Sequence, residues 1–154
     1  AGIIKKNYEI EYIDISWNLV GIDGGKVLGE ALTHNTNLKV LILDGNDICE
    51  EGGISFANML KDNTGLYQLD LKDNGLGDTA ACSIAYSLRN HPSLKILDLT
   101  CNGLTSVSME VIAKYLIADP EESEENDSAY NLSTLILNTN PIGDDGAYIL
   151  SDSL

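Results

Sequence analysis

The 154-residue chain is poor in positive charge, in histidine and in cysteine. Nine Lys and Arg stand against 24 Asp and Glu, a net charge of -15. Such a surface repels nucleic acid and anionic membranes and favours basic partners. Two histidines leave little material for acid–base or metal chemistry. Cys49, Cys82 and Cys101 are odd in number and widely spaced, so they make no disulfide framework. They read as reduced thiols and point to the cytoplasm. No apolar run approaches a membrane span, and no signal-peptide pattern opens the sequence.

Catalytic signatures are also missing. Gly24-Gly25-Lys26 lacks the first glycine of a phosphate loop and the Ser or Thr after the lysine. Neither H-E-x-x-H nor C-x-x-C occurs, and His34 and His91 have no second ligand at metal spacing. No histidine occupies the position in a neighbouring unit that would activate Cys101. With no nucleophile–base pair, the expectation is a non-enzymatic protein without cofactor or metal. What is present, 44% hydrophobic and 21% charged residues, suits an ordinary folded domain.

The strongest feature is periodic. Asn18, Asn46, Asn74 and Asn102 follow one another at steps of 28, and Asn140 follows after 38. The segments ending on them read IEYIDISWN, LKVLILDGN, LYQLDLKDN, LKILDLTCN and LSTLILNTN, all fitting L-x-x-L-x-L-x-x-N with Ile allowed for Leu. Behind each asparagine, Leu28, Phe56, Ile84, Ile112 and Leu150 share one slot, and Leu32, Leu60, Leu88, Leu116 and Leu154 another four residues on. Gly24, Gly52, Ala80, Ser108 and Gly146 fill a small-residue slot before them. Alternation before the asparagine is a strand period, and spacing of four after it is a helix period. Each unit therefore predicts strand, turn, helix, turn.

The pattern resembles the ribonuclease-inhibitor-like class of leucine-rich repeats over nearly the whole chain. The resemblance implies an α/β right-handed solenoid, a horseshoe arc with parallel strands on the concave face and helices on the convex face. One unit cannot bury its own apolar stripe, so neighbours must stack. Strands about 4.8 Å apart backed by helices about 8–10 Å apart bend the stack towards the strands. A single domain over 1–154 is expected: a partial upstream repeat at 1–9, then repeats at 10–37, 38–65, 66–93, 94–131 and 132–154. Neither end reads as a polar cap, so the chain reads as a window on a longer array. Unit four carries an insertion near 119–128 with six acids between Asp119 and Asp127, a composition that favours a solvated loop.

The repeat assigns roles. Asn18, Asn46, Asn74, Asn102 and Asn140 read as a structural ladder whose amides satisfy turn backbone groups. The alternate strand positions face the concave side. There Asp14, Asp44, Asp70, Asp73 and Asp98 form an acidic strip relieved by Lys72, with Tyr12 and Trp17 at one end. Aromatic anchors beside charge suit a protein interface. A second expectation for Trp17 is packing on the preceding repeat.

The leading reading is a protein–protein interaction module or scaffold whose concave face takes a basic or amphipathic partner protein, not nucleic acid or membrane. One activator family for nuclear-transport GTPases is similar in repeat type, which makes small-GTPase regulation one alternative, although no residue maps onto it. A purely architectural part of a ciliary, cytoskeletal or innate-immune assembly is another.

Overall fold

A computed structural model describes residues 9–89, 91–117 and 131–154. The acidic insertion and residues 1–8 of the partial upstream repeat lie outside them. Five short strands, β1 (Tyr12–Asp14), β2 (Val40–Ile42), β3 (Gln68–Asp70), β4 (Ile96–Asp98) and β5 (Thr134–Ile136), alternate with five helices. The helices are α1 (Gly21–Leu32), α2 (Cys49–Asp62), α3 (Gly77–Leu88), α4 (Ser106–Ile112, continued as a π-turn over Ala113–Ile117) and α5 (Gly143–Asp152). The strands form one parallel sheet in the order β1-β2-β3-β4-β5. This is an α/β solenoid of stacked strand–helix units, as the repeat predicts. Its register pairs Tyr12 with Val40, Val40 with Gln68, Gln68 with Ile96 and Ile96 with Thr134.

The core lies between sheet and helices. Leu41, Leu69 and Leu97, the centres of β2 to β4, are fully buried, as are Leu43, Leu71 and Leu99 two residues on. From the other side Leu32, Phe56, Leu60, Ile84 and Ile112 close the layer. Helices approach closely where side chains are small. A Cβ on Gly29 would stand 2.7 Å from Ser55 Oγ and 3.1 Å from the Ser55 carbonyl oxygen, so α1 and α2 meet there only because that side chain is missing.

After each strand the backbone still pairs with the next repeat: Trp17 N with Asp44 O, Gly45 N with Lys72 O, Asp73 N with Thr100 O and Cys101 N with Asn138 O. Trp17, Gly45, Asp73, Cys101 and Thr139 all take the left-handed conformation, with φ between 53° and 61°. This region is unfavourable to side chains, and a β-branched residue such as Thr139 is rare in it. The reversal points the next residue, the asparagine, inward.

There the amide works between repeats. Asn74 Oδ1 accepts from Asn46 N at 3.1 Å and Ile48 N at 3.4 Å, and Nδ2 donates to Leu43 O and Lys72 O, both at 3.0 Å. Asn46, Asn102 and Asn140 repeat this scheme towards the preceding unit. Among the described residues the Asn18 amide donates within its own turn, to Ile15 O and Ser16 O. The first N–H of each helix finds a partner the same way: Gly21 N, Cys49 N and Gly77 N donate to the carbonyls of Asn46, Asn74 and Asn102. That is why α1, α2 and α3 need no side-chain N-cap. At α4 the pattern changes. Thr105 is extended and caps Val107 N, while the Asp78 carboxylate accepts from Thr105 N at 2.8 Å and Oγ1 at 2.7 Å.

A second ladder runs along the opposite edge, where helices end and strands begin. Asn35 Oδ1 accepts from Asn37 N and Leu38 N, and Asn63 Oδ1 from Gly65 N and Leu66 N. Asn63 Nδ2 reaches back to Leu32 O at 2.7 Å and Asn35 O at 2.8 Å. In the next unit His91 takes the place, its Nδ1 accepting from Ser93 N and Leu94 N. Asn131 then donates to His91 O at 3.0 Å. The His91 ring is buried, with Nε2 making no hydrogen bond of good geometry. Burial holds its pKa below the ordinary histidine value, against a smaller upward push from the Asn63 carbonyl.

Two predictions follow from the ladders. Asn74→Ala leaves the buried N–H groups of Asn46 and Ile48 without their acceptor and costs about 3 kcal/mol, whereas Asn18→Ala costs about 1 kcal/mol. Urea midpoints of the two variants check the difference. For His91 the folded pKa is depressed, so the unfolded chain binds more protons as pH falls through the ordinary histidine range, and folding stability drops there. Protonating Nδ1 would also eject two backbone donors. The decline in Tm from about pH 7.5 to about pH 5.5 is therefore smaller in His91→Asn than in the parent chain.

Candidate functional site

The strand face presents one residue from each unit in every row. The row at the strand start reads Tyr12, Val40, Gln68, Ile96 and Thr134, and the row at the strand end reads Asp14, Ile42, Asp70, Asp98 and Ile136. All ten are exposed or half-buried, in contrast to the sealed leucines between them. This follows from strand alternation alone.

The carboxylates on this face sense one another. Asp44, one turn beyond β2, has its pKa raised, first by burial and then by the charges of Asp70 and Asp98, with Lys72 pulling the other way. Its Oδ1 is shielded from solvent and has no hydrogen-bond partner. Asp70 is likewise raised, first by burial and further by Asp98 and Asp14, while the Gln68 amide at 3.0 and 3.2 Å opposes the rise. Asp14 sits at the exposed end and is lowered, because Ser16 Oγ and Ser16 N both donate to its Oδ1. Asp98 Oδ1 accepts from Thr100 N at 2.8 Å. The structure thus gathers Asp14, Asp44, Asp70 and Asp98 into one field with Lys72 beside Asp44.

Asp73 stands apart from that group. It occupies the left-handed turn position at the rim, where its Oδ1 accepts a long contact of 3.6 Å from Cys101 Sγ. Burial and the neighbouring Asp73 raise the Cys101 pKa, which leaves the thiol protonated and weakly nucleophilic. Thr100, two residues beyond Asp98 in the same alternation, is buried.

The aromatic end leans on the following repeat. Trp17 is 65% exposed and Tyr12 58%. The Trp17 ring lies over Gly45 of the following repeat: a Cβ added to Gly45 would come within 2.1 Å of ring atom Cε3. Gly45 therefore serves two needs at once, a left-handed φ and room for the indole. The sequence held this signal, since Gly45 is the only glycine in its row. It carries no meaning until the ring is placed beside it.

No group of three or more His, Cys, Asp or Glu among the described residues is arranged to hold a metal ion. No helix among them is long and apolar enough to cross a membrane. The arrangement offers negative potential and flat aromatic area, which is equipment for binding.

Burial first, and the charges of Asp98 and Asp14 after it, work against the ionised Asp70 carboxylate, so removing its charge relieves the fold. A raised carboxylate pKa means that the native state binds protons before the unfolded chain does, so ionisation works against folding at neutral pH and ceases to once pH falls below the ordinary carboxylate value. Asp70→Asn is expected to raise the unfolding free energy at about pH 7 by up to about 1 kcal/mol, a gain that fades by about pH 4. Urea unfolding at the two pH values checks it.

Comparison with known proteins agrees with this description. The family model described as "Leucine Rich repeat" matches residues 34–57, 90–113 and 131–151. No curated protein sequence matches the chain significantly. Among solved structures, "Leiomodin-1 Actin-Binding Site 2 (ABS2)" is similar, with a TM-score of 0.73 and 20% identity over 99% of this chain and 86% of that one. The structural likeness concerns the fold, and with the three matched segments it closes the argument: the chain carries leucine-rich repeats stacked as an α/β solenoid.

Proposed function

We propose that this chain is a non-enzymatic scaffold that binds a basic or amphipathic partner protein on the acidic strand face. It forms a single repeat domain of the ribonuclease-inhibitor-like type, a reading supported by the 28-residue step of its asparagines. The observation that carries the functional proposal is the shared field of Asp14, Asp44, Asp70 and Asp98. Burial and the charges of their neighbours raise the pKa of Asp44 and Asp70, so these carboxylates are held at a cost that a cationic side chain between them lowers. Trp17, lying over Gly45, supplies rigid apolar area next to that charge, and the exposed Tyr12 stands at the start of the same strand. Lys72 and the rim residue Asp73 set the register in which a partner's charges meet the strip. The cysteines, left as free thiols, are compatible with a cytoplasmic setting.

The similar leiomodin structure carries actin binding in its title, which supports protein binding as the mode and makes actin one partner to try. GTPase regulation and a purely architectural role gain no residue-level support from the described residues.

A lysine-rich amphipathic helical peptide is a suitable probe. It should bind the chain more weakly as salt rises above about 0.15 M, and the double variant Asp70→Lys, Asp98→Lys should lose about tenfold or more in affinity. Fluorescence anisotropy measures both, with Trp17→Ala as a test of the aromatic anchor. Equal affinity in parent and double variant would sink the proposal. Co-sedimentation with filamentous actin, parent against the same variant, tests that partner.

A further inference from the structure

Leu19 is 79% exposed and Trp17 65%, one on each side of Asn18. Both take the left-handed conformation, at φ 54° and 61°. Bulky side chains enter that region only at a cost. Elsewhere along the array small or polar residues fill the same two slots. The slot of Leu19 otherwise holds Asp47, Gly75, Gly103 and Pro141, and that of Trp17 holds Gly45, Asp73, Cys101 and Thr139. Gly75 and Gly103 reach the left-handed region without strain, at φ 64° and 71°. Leu19 is therefore the one large apolar side chain of its row, held against its backbone preference and left in water. The exposure belongs to the slot: Asp47, Gly75 and Gly103, each flanked by units on both sides, are exposed too. A solitary exposed leucine is ordinary. A strained leucine two residues from a strained tryptophan is not, and strain of this kind persists where function repays it.

The surroundings of the pair select what covers it. Asp47 and Asp73 lie further along the two rows, and Asp23, Glu50 and Glu51 occupy the first turns of α1 and α2 on the same edge. All five are exposed. Such acids repel an anionic lipid surface, and they repel a second copy of a chain whose net charge is -15. They favour a cationic visitor. We infer that Leu19 and Trp17 form the apolar anchor of a rim site that takes an apolar side chain of a partner protein flanked by lysine or arginine. This deepens the strand-face reading and rests on it for the mode, binding of a basic partner. The carboxylate strip attracts the partner's charge. The rim decides which basic segments are held, because only those with an apolar residue remove Leu19 from water. The Trp17 ring, lying over Gly45, gives that contact a fixed wall.

Two helical peptides with the same lysines serve as probes, one with leucines on its apolar face and one with alanines there. Fluorescence anisotropy gives both affinities, and the ratio between them reads the rim. The parent chain is expected to bind the leucine peptide about tenfold more tightly. Leu19→Gly places in the slot the residue already present at Gly75 and Gly103. It should cut the ratio to about threefold or less, while its urea midpoint stays at or above the parent's. Leu19→Met should keep the ratio. The variant Asp70→Lys/Asp98→Lys should weaken both peptides and leave the ratio standing, so failure of the acidic strip and failure of the rim are read separately. An unchanged ratio in Leu19→Gly overturns the inference, and so does a parent chain that binds the two peptides equally. Binding of phosphatidylcholine vesicles that is lost in Leu19→Gly, with no preference between the peptides, overturns it in favour of a membrane surface.

Discussion

A chain that turns sharply after every strand leaves backbone N–H and C=O groups facing its own interior, where water does not reach them. Here one side chain per unit answers for them. Asn46, Asn74, Asn102 and Asn140 each accept from backbone donors of the preceding unit and donate to carbonyls of that unit and their own. Because each amide serves two units, its position fixes their offset. The strand register and the helix start both follow from that offset, since the helix's first N–H donates to the carbonyl of the next asparagine. The left-handed residue before each asparagine is the conformational cost of bringing the amide inward.

The two edges solve the same problem with different tolerance. On the strand-end edge the four inter-unit amides are all asparagine. On the strand-start edge a histidine stands in at His91, using Nδ1 where Asn35 and Asn63 use Oδ1. Imidazole can copy the acceptor only while it is neutral, so that unit acquires a pH dependence that its neighbours lack. Thr105 with Asp78 is a comparable local replacement at the start of α4. Burial pushes the Asp78 pKa up, but hydrogen bonds from Ser108 and Thr105 outweigh it and leave the carboxylate below its ordinary value.

Most of the fold was legible because its determinants recur: the Leu slots, the asparagine step and the switch from alternation to a helical spacing all repeat in phase. The acidic row was legible for the same reason, as strand alternation determines which residues face outward. What escaped notice was whatever occurs once or depends on a neighbour. Asn35 and Asn63 are 28 apart and could have been read as a second ladder, but His91 breaks the type and Asn131 the spacing. The seat of Trp17 on Gly45 needs two rows to be placed side by side. The burial of Thr100 and the coupling of Asp44 to Asp70 depend on distances between units, which a single unit's sequence does not contain.

The fourth unit is 38 residues long, yet β4 and β5 pair in the same register as every other pair of strands. Asn131, next to the first core position of its unit, holds the carbonyl of His91 although it does not sit where the other ladder members do. Length can therefore change at the strand-start edge without the opposite face registering it. The two faces of the molecule are free to vary at different rates: one can gain or lose whole segments while the other keeps its row of carboxylates in line. For anyone grafting a label, a tether or a second recognition element onto this scaffold, that edge is the place to cut.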